Sequence, residues 1–373
     1  MWNVKSAFVA TAFGIAISLA PLPVQAEEVR IVMGASGDGP LQQGQHLFAK
    51  KIEDGTGGEY TGKVFAGTLL SYAETTEGLT NGSAHIGYMV PAYVRGEFPL
   101  TNYAIDIVAT VTEPVVVGGA MTEFIFSCKP CLEEFKRRNQ AFTGFAVVGS
   151  YVLMSNKTLN DVSDLKGMKI RGFSAFNKLV GQWDANAISV NVGEVYEALS
   201  SGRLEGNIHL WDIIKTYSLG DHVKYVYDAP IGIYGGNSMF NINLDFWKSL
   251  SAEHKQVFMT SANEALAYAT VNYAANDRKL AASAAELKVE EIKTPDSIRK
   301  SIDMFRDGNI KDVIKAAAED DTIPNSEELG DRLLALLDKW RGLVKGIDET
   351  DVDAVAKLYQ EQIYNGIDLA TLE

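Results

Sequence analysis

Only two of the 373 residues are cysteine and five are histidine, and the 34 Lys and Arg are outnumbered by 48 Asp and Glu. Each shortage excludes something. The histidines, at 46, 85, 209, 222 and 254, are scattered and never form His-Glu-x-x-His, so zinc hydrolysis lacks its ligand set. No Gly-x-Ser-x-Gly occurs, which removes the nucleophile elbow of a secreted α/β hydrolase. The glycines between Gly34 and Gly39 are followed by no Walker lysine and lack dinucleotide spacing, so they read as a strand-to-helix turn. A formal charge of −14 argues against nucleic acids and anionic membranes as partners. No motif calls for a metal or a cofactor, and an enzyme is not expected.

Long apolar runs are also scarce, and the one that stands out is at the start. Lys5 gives a basic beginning, Ala7 to Leu19 is apolar apart from Gly14 and Ser18, and Pro21 and Pro23 lead to Val24-Gln25-Ala26. This three-part pattern reads as a signal peptide over 1–26, cut after Ala26, which implies a periplasmic protein. An uncleaved anchor is the alternative, although the run is short for a membrane span. No cysteine follows the cut for lipid attachment. Loss of Lys5 leaves 33 basic and 48 acidic residues, net −15. A bound anion would therefore be held by local donors against the overall field.

The cysteines lie together in Phe126-Ser-Cys128-Lys-Pro-Cys131. In an oxidising compartment they are candidates for a small disulfide ring at a helix start. A thioredoxin-like redox site is the other reading. It needs a strand leading into the motif and a later cis-proline, and that context is missing.

Periodicity predicts strands at 29–33, 60–65 and 84–90, with helices from Pro40 and over 71–81 between them. Strands alternating with helices imply an α/β lobe with a largely parallel sheet. A second lobe begins near Ser150, with strands at 151–155, 168–171, 187–191, 205–210, 225–227 and 240–242 and helices at 177–184 and 192–200. From Ala252 to Leu287 a long helix carries Phe258, Ala262, Leu266, Ala269, Tyr273 and Leu280 on one face, long enough to brace both lobes. Val289 to Ile292 reads as a last strand, and the remainder is helical and charged.

Within this frame Arg171 ends a short strand in Asp164-Leu-Lys-Gly-Met-Lys-Ile-Arg171. A buried guanidinium needs an anion, and its planar donor pair matches a carboxylate. Trp211, Tyr234, Tyr72 and Asn237 are candidates to wall a ligand and offer it donors.

Four segments, Phe48–Gly58, Gly78–Gly87, Asp164–Arg171 and Gly193–Gly206, occur in an order that resembles the substrate-binding proteins of tripartite ATP-independent periplasmic (TRAP) transporters, the dicarboxylate-binding (DctP-like) type. The resemblance runs from about Val29 to about Leu287. It implies an α/β two-lobe clamshell of the periplasmic binding protein type, built from 27–150 plus about 240–286 and from 151–239 plus about 287–373. It implies a carboxylate on Arg171 and delivery of a small organic acid to integral membrane subunits driven by an ion gradient. Where the family tends to have an asparagine this chain has His209, and Tyr151 takes the place of a second arginine. These departures suggest a monocarboxylate with an apolar or cyclic body. Relatives that dimerise through C-terminal helices make a homodimer possible through the segment after Ser297. The same clamshell serving an ABC importer or a sensory receptor is the runner-up.

Overall fold

In the computed structural model the described residues are 1–2, 26–319 and 323–373. Of the expected signal peptide, 1–26, residues 3–25 lie outside them. Eleven strands are present among the described residues: β1 (Glu27–Met33), β2 (Tyr60–Ala66), β3 (Ile86–Met89), β4 (Gln140–Ala141), β5 (Val152–Ser155), β6 (Lys169–Arg171), β7 (Asn186–Ile188), β8 (Gly206–His209), β9 (Tyr225–Tyr227), β10 (Ser238–Asn243) and β11 (Glu290–Ile292). They form two sheets, ordered β2-β1-β3-β10-β4 and β11-β9-β5-β8-β6-β7. Each sheet centres one lobe.

Both sheets are mixed, where the alternation of elements implied a largely parallel one in the first lobe. In the first, β1 runs parallel to β2 and β3, while β10 runs antiparallel to β3 and β4. In the second, β5 runs antiparallel to β8 and β9. Both exceptions, β5 and β10, enter a sheet from the opposite lobe, as β11 also does, so no crossover helix within the lobe obliges them to run parallel to their neighbours.

The helix Pro40–Gly55 follows β1, with Pro40 at its first position, where a missing N–H costs nothing. Its Phe48 stacks on Phe240 of β10 at 4.5 Å and meets Phe258 of the long helix edge-on at 6.1 Å. The long helix spans Ala252–Ala282, with the Ser251 side chain accepting from the N–H of His254 as its cap. Phe258 and Leu266 belong to the first core and Leu280 to the second, so the helix joins the two. It stops five residues before the expected Leu287. A 3-10 turn, Ala284–Leu287, follows, and Lys288 takes a left-handed φ of 60°.

Helices Pro99–Val108 and Pro114–Phe126 went unpredicted, as did the shorter Asp212–Thr216 and Leu244–Ser249. Pro114–Phe126 is apolar almost all round, so it has no amphipathic stripe to read. It is buried. A Cβ on its Gly119 would come within 2.3 Å of the Trp340 ring, so only glycine admits that indole. Trp340 also donates its Nε1–H to Glu123 at 2.7 Å. The segment 287–373 was expected with the second lobe, but its last two helices make different contacts. Ser326–Val344 covers Pro114–Phe126, and Val352–Gln362 lies on the long helix, where the Asn263 amide donates to the Ala356 carbonyl at 2.9 Å. The helix Asp296–Ala318 touches both lobes. Its Asn309 donates to the Asp106 carbonyl and its Ser301 accepts from Trp183.

The two cysteines are joined, with Cα atoms 5.2 Å apart, at the start of Lys129–Arg137. Cys128 Sγ also accepts from the N–H of Cys131, so the ring caps the helix.

Candidate functional site

Arg171 ends β6 and His209 ends β8, two adjacent parallel strands in which Arg171 registers with Asn207. Both side chains thus stand at the carboxyl edge of the second sheet, where α/β folds place ligand crevices. From the first lobe, the loop after β2 brings Tyr72 over the end of β1. A Cβ on Gly34 would lie 2.3 Å from the Tyr72 backbone nitrogen, so glycine permits that crossing. Tyr72 then meets Tyr88 of β3 edge-on, ring centres 4.8 Å apart.

Between the lobes is a cavity of about 600 Å³, its mouth included. Six of the seven residues singled out in the sequence line it: Tyr72, Tyr151, Arg171, His209, Tyr234 and Asn237. Trp211 does not. It starts the short helix Asp212–Thr216 and packs into the second core with Val192 and Leu219, an ordinary buried aromatic.

Arg171 is 1% exposed. Its Nε donates to the Val190 carbonyl at 3.0 Å, its Nη1 is buried without a partner, and its guanidinium lies 5.2 Å from the Phe173 ring. No carboxylate stands within ion-pairing distance of it among the described residues. A desolvated cation left unpaired is costly unless something outside the chain completes it.

The surroundings are polar but nearly uncharged. The His209 imidazole stacks on Tyr151 at 4.7 Å and 17°. Burial, then the Arg171 charge, holds its pKa well below the usual histidine value. Its Nδ1 accepts from the N–H of Leu210 at 2.8 Å, which leaves Nε2 to carry the proton. Burial pushes the phenols of Tyr72, Tyr88, Tyr151, Tyr217, Tyr234 and Tyr273 up, so they remain neutral donors. Asn237 is fully engaged. Its oxygen accepts from the Tyr88 hydroxyl at 2.6 Å, and its amide donates to the carbonyls of Ala146 and Tyr234. It fixes Tyr88 and has only its lining surface to offer a ligand.

Residues that sequence reasoning passed over also line the cavity, among them Tyr88, Tyr93, Phe173, Asp212, Tyr217 and Tyr273. Tyr93 crosses between the lobes, its hydroxyl accepting from the N–H of Val192 at 3.0 Å. Nearby, Ser174 of the second lobe donates to Asp106 at 2.5 Å and accepts from Arg95 at 3.2 Å. Asp38 and Lys215 pair across the cleft at 3.2 Å. The lobes are thus drawn together around the cavity.

Two lobes, a bracing helix and a closed interlobe cavity with one unpaired arginine define a periplasmic-type solute-binding protein. Residues 31–307 match the model of the DctP family, bacterial extracellular solute-binding protein, family 7, and the chain belongs to that family. Solved structures share the fold at low identity. DctP7, a Bordetella pertussis extracytoplasmic solute receptor binding pyroglutamic acid, is 20% identical, with 84% of this chain and 100% of that one covered at a TM-score of 0.71. A marine metagenome TRAP solute binding protein specific for aromatic acid ligands, in complex with 3-hydroxybenzoate, is 18% identical over 84% and 99% at 0.73. The sugar acid binding protein DctPAm from Advenella mimigardefordensis, in complex with galactonate, is 16% identical over 85% and 99% at 0.70.

Proposed function

We propose that this chain is a periplasmic receptor that takes up a small organic acid between its lobes, holds the carboxylate on Arg171 and presents the closed complex to TRAP-type membrane subunits. One observation carries the reading: Arg171 is buried in the cavity with a free Nη1 and no counter-ion. A carboxylate supplies the missing charge and accepts the paired donors. Tyr151 and His209 add neutral hydrogen-bond donors next to it, while Tyr72, Tyr234 and Phe173 wall the ligand body. Together they suit a monocarboxylate with an apolar or cyclic body. The known ligands of similar structures, pyroglutamic acid, 3-hydroxybenzoate and galactonate, all carry one carboxylate. Export through a signal peptide cut after Ala26 completes the picture.

The mechanism is binding without bond making. A ligand that touches both lobes lowers the free energy of the closed form relative to the open one and shifts the population toward it. The test is a thermal-shift screen of residues 27–373 against organic acids, repeated on Arg171→Ala. A ligand at about a hundred times its Kd adds roughly 2.7 kcal/mol. Shifts confined to carboxylates and abolished by the substitution support the proposal. Shifts from neutral sugars or peptides, or shifts that survive the substitution, refute it.

A further inference from the structure

Arg171 has an opposite number. Among the described residues, Asp212 is the one carboxylate side chain that lines the cavity. Both are buried, and neither is in an ion pair. They therefore stand more than 4.0 Å apart in the same enclosed space, one charge of each sign, with neutral side chains making up the rest of the lining.

The fold holds Asp212 where it is. It opens the helix Asp212–Thr216, and its backbone N–H donates to Asp277 Oδ1 of the long helix at 3.2 Å. Asp212 Oδ2 accepts from the Thr216 hydroxyl at 2.8 Å and Oδ1 from the Asn276 amide at 2.9 Å. An ionised carboxylate accepts about four hydrogen bonds, so each oxygen has capacity left. Tyr273, another cavity residue, has its phenol pushed up by burial and then by Asp212, so it adds no charge. The Asp277 carboxyl behind it is likewise pushed well up, by burial and then by Asp212. Lys215 and Lys279 border an outer groove that Asp212 also reaches, but Lys215 is paired with Asp38 and neither lysine is within ion-pair distance of Asp212. Asp212 thus stands between the groove and the cavity and borders both, with no cation paired to it.

We infer that Asp212 is a specificity-determining residue that selects, among carboxylates held on Arg171, those with a hydrogen-bond donor at the far end and rejects those with a second carboxylate. This rests on the carboxylate-receptor reading above and names the ligand class within it. The physical basis is the asymmetry of polar recognition. A buried acceptor rewards an O–H or N–H that satisfies it, and a like charge brought against it is strongly disfavoured. Neutral imidazole and phenols supply no second cation to offset a dianion.

The test is titration calorimetry at neutral pH on two matched trios of different shape: pentanoate, 5-hydroxypentanoate and glutarate, then benzoate, 3-hydroxybenzoate and isophthalate. In the wild type the hydroxy acid of the better-fitting trio should bind about tenfold tighter than its parent and at least about a hundredfold tighter than the dicarboxylate. Asp212→Asn should narrow the gap between dicarboxylate and hydroxy acid by about tenfold or more. The wild-type ranking tests the inference even if the variant folds poorly. Arg171-dependent binding in which the dicarboxylate matches the hydroxy acid overturns the role of Asp212 alone, as does a ranking that Asp212→Asn leaves unchanged. Binding by none of the six, or binding that survives Arg171→Ala, overturns the carboxylate reading and this inference with it.

Discussion

The imidazole of His209 lies flat against the phenol of Tyr151, ring centres 4.7 Å apart and planes 17° from parallel. These are the two positions that the sequence suggests as departures from the TRAP-type pattern, and the fold makes them neighbours. One comes from β8 and the other leads into β5, which pair antiparallel with Val152 opposite His209. The two rings therefore form one surface, an uncharged wall beside Arg171.

That wall fixes the pH dependence of binding. His209 has its pKa held well below the usual histidine range, by burial first and Arg171 second. It is neutral throughout the range in which a free histidine titrates, near 6.5. The Kd for a simple acid such as benzoate should stay flat between about pH 8 and about pH 5.5. Calorimetry across that range checks it. A cationic His209 would instead tighten binding as the pH fell through about 6.5, and such a rise would contradict the assignment.

How much of this site the sequence disclosed follows from the kind of signal each residue carries. Arg171 was legible because a cation at the end of an apolar strand conflicts with its surroundings, and such conflicts mark sites. Tyr88 and Tyr273 were not, because each also satisfies a structural pattern. Tyr88 sits in the fully buried strand β3, and Tyr273 continues the apolar stripe of Phe258 and Leu266. Trp211 shows the reverse error. It is two residues after His209, but the strand has ended by then, so alternation no longer predicts its direction. Asp212 lies next to it and borders the cavity. The first lobe's helices between 99 and 126 escaped for a related reason. A helix buried on all sides, such as Pro114–Phe126, leaves no periodic trace.

The Cys128–Cys131 bond should act on stability alone. Both cysteines are buried, 2% and 0% exposed, and belong to the first core. A ring this small removes little loop entropy, and the chain-entropy relation gives about 2 kcal/mol. The double variant Cys128→Ser/Cys131→Ser should lose up to that amount in a urea melt and keep its acid affinity. A thiol–disulfide exchange activity in the wild type would instead restore the redox reading.

His85 gives the fold an acid-sensitive point away from the cavity. Its Nδ1 accepts from the N–H of Arg30 at 3.0 Å, and its ring stacks on Phe246 at 4.8 Å. Burial, then Arg30, lowers its pKa from 6.5 to about 4. The unfolded chain therefore takes up this proton first as pH falls. Stability is lost from about pH 6.5 down to about pH 4, where the folded form also protonates. Asparagine keeps an acceptor for Arg30 and cannot titrate. In His85→Asn the fall of Tm with pH across this window should be shallower than in the wild type. Equal slopes would place the acid sensitivity elsewhere.

The contacts across the cleft divide into strong and weak closures, and exposure tells them apart. Asp38 and Lys215 are 84% and 56% exposed, so their attraction is screened and worth roughly 0–1 kcal/mol. Tyr93 contributes more. It lines the cavity, its ring meets Phe173 at 5.3 Å, and its hydroxyl gives the backbone N–H of Val192 an acceptor. Removing that oxygen leaves the amide unsatisfied only when the lobes are closed, because the open form hydrates it. The penalty therefore falls on the closed complex, at about 1–3 kcal/mol. Tyr93→Phe should raise the ligand off-rate by about tenfold or more and change the on-rate little, since ligand enters the open form. Lys215→Met should change the off-rate by no more than a few-fold, with the difference fading in salt. Stopped-flow measurements of both variants decide it. Equal off-rates in Tyr93→Phe and wild type would mean that closure is held by the ligand itself and not by the rim of the cleft.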